Sequence, residues 1–266
     1  MEVIRILQFS DLHLFGNGDA KFLGINVNQS FRAVLSLAKK TSSLIPPSLV
    51  LLTGDLSHDY SEASYTMVRK LCQEFSCPVK AIPGNHDDFS VFNRILGGGK
   101  IDVFTKDITV GGSRILLLNS QWPGQVAGYL GEGELLFLEH ALNSKADQQT
   151  LVFLHHQVLP VGSLWLDKTA LSNQQEFLSI IKRHPQVKAV VSGHVHQETS
   201  KVEDQVTFLT TPATSWQFAL NSSRFKLDTA MPGYRWFDIY PDHWQTAVER
   251  VIFNQKFVPE LNSKGY

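Results

Sequence analysis

The sequence predicts an α/β protein with a sheet of parallel strands joined by helical crossovers. Short apolar runs alternate with segments of helical periodicity, several of these runs stop at polar or glycine residues, and no repeat or long linker divides the chain. The 266 residues are 43% hydrophobic and 18% charged, so the chain can bury a substantial core. We therefore predict one domain spanning residues 1–266.

In the N-terminal third, strands and helices are expected to alternate. Apolar runs predict strands over residues 3–9, 49–53 and 79–82. Helices are predicted over residues 29–41 and 61–75, because their apolar residues recur three and four positions apart. The three strands stop at Ser10-Asp11, Gly54-Asp55 and Pro83-Gly84.

The rest of the chain adds more β structure. Gly111-Gly112 lies between two β-type runs and predicts a hairpin. Helices are predicted over residues 132–143 and 172–183, with Ser172 or Asn173 as the N-cap of the second. Further strands are predicted over residues 107–110, 114–119, 150–154, 188–191, 206–211, 234–240 and 244–251.

The composition narrows the range of partners and compartments. The formal net charge of −1 argues against nucleic-acid partners and anionic membranes, because both favour a basic surface. Cys72 and Cys77 are too few for a disulfide framework and lack CxxC spacing, so we predict buried free thiols. The N-terminal residues lack a signal-peptide pattern and no apolar run approaches a span of ~20 residues, so a cytoplasmic location is expected.

Five predicted strands end at side chains that can bind metal ions. In open α/β sheets, ligands bind beyond the carboxyl ends of the strands, so strand ends far apart in sequence can meet in one site. We therefore expect one shared metal centre there. Its candidate ligands are Asp11, His13, Asp55, Asn85, His155, His194 and His196.

The spacing of these residues suits metal binding. In extended geometry, Asp11 and His13 point to the same side, and the pair His194 and His196 repeats this arrangement. Mixed oxygen and imidazole donors favour Mn, Fe or Zn over Ca or Mg alone. Seven ligands exceed the needs of one ion, so two ions are predicted, with the carboxylate of Asp55 shared between them. Such a pair, ~3.5–4 Å apart, suits displacement at phosphorus by a bridging hydroxide.

These motifs resemble those of the calcineurin-like metallophosphoesterases. The resemblance rests on Asp11-Leu12-His13, Gly54-Asp55, residues 84–87, His155 and residues 193–196. Over almost the whole chain, the sequence is also similar to the bacterial 3′,5′-cyclic AMP phosphodiesterases of class III. This closer resemblance includes residues 5–8, Leu154-His155-His156, Trp165-Leu166-Asp167, residues 193–198 and the ending Gly265-Tyr266.

The resemblance implies a four-layer αββα sandwich with two mixed β-sheets and the metal site at the C-terminal ends of strands. It implies cleavage of the 3′ P–O bond of 3′,5′-cyclic AMP to give 5′-AMP, with iron and manganese as the typical metals. The implied ligands of the first ion are Asp11, His13, Asp55 and His196, and those of the second are Asp55, Asn85, His155 and His194. The implied substrate contacts are His13, Asp55, Asn85, His86 and His196.

His86 and Asp87 are the candidate catalytic residues outside the ligand set. By resemblance, His86 contacts the phosphate and either stabilises charge or protonates the leaving 3′-oxygen, which suits a group whose ordinary pKa is near neutrality. Asp87 either orients His86 or caps the following helix.

Other polar and aromatic residues are open to two interpretations. His156 is either an outer neighbour of the ligands or faces solvent. His58 and Asp59 are interpreted as structural, with Asp59 capping a helix. Trp165-Leu166 and Trp216-Gln217-Phe218 either form a wall for the base or pack in the core.

Two alternatives to a cyclic AMP phosphodiesterase remain open. One keeps the site but acts on 2′,3′-cyclic nucleotides or other small phosphate esters. The other, from a different class, is a metal-stabilised binding scaffold without turnover. The sequence predicts a small-molecule cyclic nucleotide as the partner and does not determine the oligomeric state.

Overall fold

The computed structural model describes residues 3–240 and 243–265. Met1, Glu2, Pro241, Asp242 and Tyr266 therefore lie outside the described residues. The helices are α1 (Val27–Thr41), α2 (Glu62–Cys72), α3 (Phe89–Leu96), α4 (Glu132–Ser144), α5 (Leu164–Asp167) and α6 (Gln174–Lys182). The strands are β1 (Ile4–Phe9), β2 (Pro47–Thr53), β3 (Val79–Ile82), β4 (Ile101–Asp102), β5 (Asp107–Val110), β6 (Ser113–Leu117), β7 (Thr150–Phe153), β8 (Val187–Ser192), β9 (Thr199–Glu203), β10 (Val206–Thr210), β11 (Gln217–Phe218), β12 (Leu227–Asp228), β13 (Gly233–Ile239) and β14 (Trp244–Arg250).

Two six-stranded mixed sheets form the centre of the fold. The first has the order β14-β13-β1-β2-β3-β4, in which β1 to β4 are parallel and β13 pairs antiparallel with both β1 and β14. The second has the order β5-β6-β7-β8-β10-β9, in which β6, β7, β8 and β10 are parallel. A two-stranded sheet of β11 and β12 stands apart.

Three apolar clusters hold these layers together. Ile6 and Leu51 of the first sheet pack with Leu151 and Val191 of the second. Helices α1, α2 and α3 cover the outer face of the first sheet, and α4 and α6 cover that of the second. The predicted four-layer αββα sandwich is therefore confirmed.

The C-terminal strand β13 pairs with the N-terminal strand β1 of the same sheet. β13 follows β1 by more than two hundred residues, yet Ile6 pairs with Phe237 and Gln8 with Arg235. Removing the C-terminal segment would leave the side of β1 opposite β2 without a partner strand. The assignment of residues 1–266 to one domain stays a prediction.

Helix boundaries were predicted less well than helix positions. α2 begins after its N-cap Ser61 and ends at Cys72 rather than at Phe75, where a bond from Phe75 N–H to Cys72 O tightens the last turn. Asn173 lies at the N-cap position of α6, but its side chain bonds to both backbone groups of Leu130 instead. Long-range hydrogen bonds of this kind cannot be seen in the local sequence.

Candidate metal centre

The carboxyl ends of five strands meet at one edge of the sandwich. β1, β2 and β3 of the first sheet and β7 and β8 of the second all point their carboxyl ends to this edge. His155, which follows β7, lies 2.7 Å through Nδ1 from the backbone oxygen of Thr53 in β2. The two sheets are thus joined directly at the site.

The seven candidate ligands converge there. Asp11 Oδ1 lies 3.3 Å from His196 Nε2, and Asp55 Oδ2 lies 3.6 Å from His13 Nε2. On the other side, His155 Nε2 lies 3.4 Å from Asp55 Oδ1 and 3.3 Å from Asn85 Oδ1. His194 joins through its backbone N–H, which donates to the Asp11 carboxylate at 3.1 Å, and through its ring, 5.2 Å from that of His155.

The backbone reaches this arrangement by left-handed turns, so the prediction of extended geometry for these pairs is wrong. Five of the candidate ligands have φ between +48° and +65°: Asp11, His13, Asp55, His194 and His196. Such conformations cost ~1–3 kcal/mol each in non-glycine residues and persist only where neighbours impose them. Bonds from Asp11 N–H to Gly54 O and from His13 N–H to Asp55 O hold two of these turns.

Each of the four histidines has one ring nitrogen held by the protein. Nδ1 of His155 faces Thr53 O, Nδ1 of His196 faces Trp216 O at 2.8 Å, and Nδ1 of His13 lies 3.3 Å from His58 Nδ1. The second nitrogen of each ring is left for the centre. Outer contacts that fix the tautomer in this way are typical of metal-binding histidines.

His194 is held in the opposite sense. Its Nε2 lies 2.9 Å from the hydroxyl of Thr169, and its Nδ1 is buried without a hydrogen-bond partner among the described residues. A buried nitrogen with no partner is costly in a protein interior. A metal ion bound through Nδ1 would satisfy it, so the residues present fit the predicted ions.

Glycines allow the ligands to approach closely. A Cβ on Gly84 would lie 2.1 Å from Asp55 Oδ1 and 2.8 Å from His155 Nε2. A Cβ on Gly193 would lie 2.6 Å from Asp11 Oδ2. The site therefore excludes side chains at these positions.

The buried carboxyl and imidazole groups of the site shift one another's pKa values. Burial by itself would raise the pKa of Asp55, but the rings of His155 and His86 lower it well below its usual range. Burial opposes the charge on His155, but Asp55 and Asp11 raise its pKa to about 9. Burial and the neighbouring His155 ring lower the pKa of His194 to about 3. The carboxylates thus provide the negative charge that a cation at this position requires.

Comparison with known proteins assigns the family. Residues 4–198 match the model of the calcineurin-like phosphoesterases, with all seven candidate ligands inside the match. The chain belongs to the calcineurin-like phosphoesterase family. The resemblance indicated by the motifs is thereby confirmed, and with it the class of metal-dependent phosphoesterases.

Curated relatives resemble this phosphoesterase over nearly its whole length. It is 35% identical to the 3′,5′-cyclic adenosine monophosphate phosphodiesterase CpdA of Pseudomonas aeruginosa, covering 99% of this chain and 95% of the relative. It is also 35% identical to a 3′,5′-cyclic-nucleotide phosphodiesterase of Nostoc, covering 97% and 96%. A dimetal phosphatase from Danio rerio shares the fold, with a TM-score of 0.72 at 13% identity over 95% of this chain and 98% of that one.

The predicted substrate contacts of this phosphoesterase differ in accessibility. Asn85 and His86 are half-buried, whereas His13, Asp55 and His196 are at most 2% exposed. Asn85 and His86 are therefore the two members of this set that solvent reaches most readily. The individual ligand and contact assignments stay predictions.

The two expectations for Asp87 were that it orients His86, which stays a prediction, or that it caps the following helix. The N-cap of α3 is Asp88, so that alternative is wrong. The buried carboxylate of Asp87 accepts hydrogen bonds from the backbone of Gly84, Leu56 and Ser57 and from the Tyr65 hydroxyl. Burial and nearby Asp55 raise its pKa to about 7, against the effect of these donors. We assign Asp87 to holding the turns after β2 and β3.

His58 contacts the site although a purely structural role was expected, and His156 takes the first of its two expected positions. Ser61 rather than Asp59 caps α2, and the ring of His58 stacks on His86 with centroids 5.7 Å apart. His156 is fully buried, so the solvent-facing alternative is wrong; its nitrogens contact Ser120 Oγ and Val126 O. Both of its nitrogens are engaged, so His156 packs beside the ligands. A second histidine directly after His155 was the one available signal.

Of the aromatic residues proposed as a base wall, Trp216 and Phe218 are core residues and Trp165 is half-buried. Trp216 and Phe218 are at most 2% exposed, and their rings lie 4.6 Å from His13 and 4.5 Å from His196. Trp165 packs edge-on against Phe218 at 4.8 Å. Of the two interpretations of these segments, the structure therefore supports packing. The rings of Trp216 and Phe218 pack against His13 and His196.

Proposed function

We propose that this phosphoesterase hydrolyses 3′,5′-cyclic AMP to 5′-AMP. The observation that carries the proposal is the geometry of four buried histidines, each held through one ring nitrogen, around Asp11 and Asp55. The names of the full-length relatives support the choice of substrate. A fully retained ligand set disfavours a binding scaffold without turnover.

We propose two ions at this centre, with the ligand division stated above. The mixed oxygen and imidazole donors suit iron and manganese, and zinc is the alternative. When bound, such a pair supplies positive charge to the phosphoryl oxygens and lowers the pKa of a water nucleophile.

The protein residues position the diester and manage its protons. In the reaction, the oxygen of water bonds to phosphorus as the water loses one proton to solvent, the bond from phosphorus to O3′ breaks, and O3′ takes the electron pair and a proton. His86 is half-buried and its ring centroid lies 5.0 Å from that of His13, so it can both border the centre and meet solvent. We propose that His86 donates the proton to O3′, while its backbone N–H holds Asp55 Oδ1 at 2.8 Å.

Compartment and partners follow from the same proposal. Cys72 and Cys77 are free and buried, as predicted, which suits the reducing cytoplasm. Within the described residues, each helix is too short or too polar to traverse a lipid bilayer. We propose a cytoplasmic enzyme that acts on a small molecule rather than on nucleic acid, in keeping with a net charge of −1.

A substrate panel tests the proposal. Protein loaded with Mn²⁺ or Fe²⁺ is given 3′,5′-cyclic AMP, 2′,3′-cyclic AMP and bis(p-nitrophenyl) phosphate, and products are separated chromatographically. We expect 5′-AMP as the product and the highest kcat/KM for 3′,5′-cyclic AMP. His86→Ala is expected to lower kcat by roughly 10²–10⁴-fold, as for loss of a general acid. Higher kcat/KM on either other ester, or unchanged kcat in the variant, would reject the substrate or the role of His86 respectively.

A further inference from the structure

We propose that a cleft beside Asn85 binds the nucleobase of the substrate, with Tyr60, Phe89 and Trp122 as its stacking surfaces. The inference rests on the proposed function and adds to it a binding site for the base, the end of the nucleotide away from the phosphate. Neither sequence motifs nor the family match point to these three aromatic residues.

The cleft borders the metal centre at Asn85. It has a volume of about 500 Å³, within the range of roughly 300–1,000 Å³ common for ligand sites. Its walls come from Tyr60, from Asn85, from the helix start at residues 87–90, and from the loop at residues 121–124. Because Asn85 belongs to both the cleft wall and the proposed ligand set, a nucleotide with its phosphate at the centre can place its base in the cleft.

The aromatic side chains in the cleft wall are exposed to water, which is unfavourable for large apolar rings. Tyr60 is 50% exposed, Phe89 48% and Trp122 41%. Large aromatic groups left open to solvent around one concave site are suited to stacking on a planar ligand. The ring of Trp122 also packs on Tyr129, with centroids 5.3 Å apart, which restricts its motion before a ligand arrives.

Gln121 fixes the cleft wall to the catalytic turn. Its Nε2 donates to the backbone oxygens of Gly84 and Asp87, at 2.8 and 2.5 Å. These two residues flank Asn85 and His86, so the loop that carries Trp122 cannot shift without disturbing them. With Nε2 committed to two carbonyls, the amide oxygen is left as the hydrogen-bond acceptor of this side chain.

A base-free substrate separates binding of the base from chemistry at the phosphate. The abasic analogue, 1-deoxyribose 3′,5′-cyclic phosphate, keeps the reacting diester and lacks the base. For Trp122→Ala we expect KM for 3′,5′-cyclic AMP to rise about ten-fold or more, with KM for the abasic analogue unchanged within two-fold. Trp122→Phe should restore most of the loss, because it keeps a ring. Phe253→Ala, an exposed aromatic position after β14, is the matched control and should change neither.

Ligand binding without turnover distinguishes this inference from the proposed function. Calorimetric titration with 5′-AMP and with ribose 5-phosphate should show tighter binding of 5′-AMP to the wild type and loss of that difference in Trp122→Ala. If the wild type hydrolyses neither cyclic phosphate but keeps the difference, the proposed function fails and the base site stands. Equal affinities for the two ligands in the wild type, or unchanged KM and affinity in Trp122→Ala, would overturn the inference.

Discussion

The Nδ1 of His13 lies 3.3 Å from the Nδ1 of His58. With Nε2 of His13 proposed to bind an ion, its Nδ1 carries the hydrogen and donates it to His58. His58 then has to present an unprotonated Nδ1. Burial and the nearby His86 ring lower the pKa of His58 to about 4, which keeps it neutral as this contact requires.

Replacing His58 should therefore weaken metal binding without removing a ligand. For His58→Ala we expect an affinity about 10–100-fold lower, as when outer partners of metal-binding histidines are lost. Metal competition with a chelating dye measures it. His140→Ala, an exposed histidine on α4, is the control and should match the wild type. Equal metal affinities in all three proteins would show that His58 does not support metal binding.

Asp55 is expected to serve both ions. Its two carboxylate oxygens face His13 on one side and His155 on the other, at 3.6 and 3.4 Å. Elemental analysis of purified protein should give about two metals per chain in the wild type, about one in His194→Ala and close to none in Asp55→Ala. Retention of one metal by Asp55→Ala would show that this carboxylate is not shared.

Removal of metal should lower thermal stability, because ions that bind only the folded state stabilise it. At a metal concentration 100 times Kd the gain is about 2.7 kcal/mol, which corresponds to a Tm difference of about 5–10 °C for a chain of this size. Calorimetry with and without EDTA measures the difference. Asp55→Ala provides the comparison, since its Tm should not respond to EDTA. A wild-type Tm indifferent to EDTA would contradict metal binding by the fold.

Gly84→Ala should disable the site. The new methyl group would lie 2.1 Å from Asp55 Oδ1, so the carboxylate must move. We expect kcat/KM to fall at least 100-fold, since ligand displacements of about 1 Å have effects of this size. Gly133→Ala in α4, whose Cβ would meet open space, should keep activity and gain roughly 0.5–1 kcal/mol in stability. Equal activity in the two variants would refute the close approach at Gly84.

The ion pair between Asp107 and Arg114 should make stability pH-dependent. Hydrogen bonds from Arg114 lower the pKa of Asp107, while partial burial opposes this. A carboxyl whose pKa is lower in the folded state stabilises the fold at pH values above its unfolded pKa of about 4. This contribution to stability is lost as the pH falls through the folded-state pKa. Asp107→Asn should therefore be less stable than the wild type at pH 7 in urea unfolding, and the difference should shrink below pH ~4. A difference independent of pH would exclude the carboxylate charge as its source.

Local patterns in the sequence determined the elements and the donor set. Apolar runs ending at Asp11, Asp55 and His155 identified the strand ends, and the rule that ligands bind beyond parallel strands brought them together. Gly111-Gly112 likewise predicted the β5–β6 hairpin, which the structure has with Val110 opposite Ser113. Short-range spacing carries this information, because side-chain alternation and turn formation depend on neighbours in sequence.

Tertiary structure alone decided how the donors are held and what surrounds them. The left-handed turn at Asp11 depends on a hydrogen bond to Gly54 O, and that at His194 on one to the Asp11 carboxylate. The contact between His13 and His58 likewise joins residues 45 positions apart. Burial separated Trp216, which backs the histidines, from Trp122, which faces solvent. Composition does not distinguish two tryptophans, since packing against distant residues determines which of them a ligand can reach.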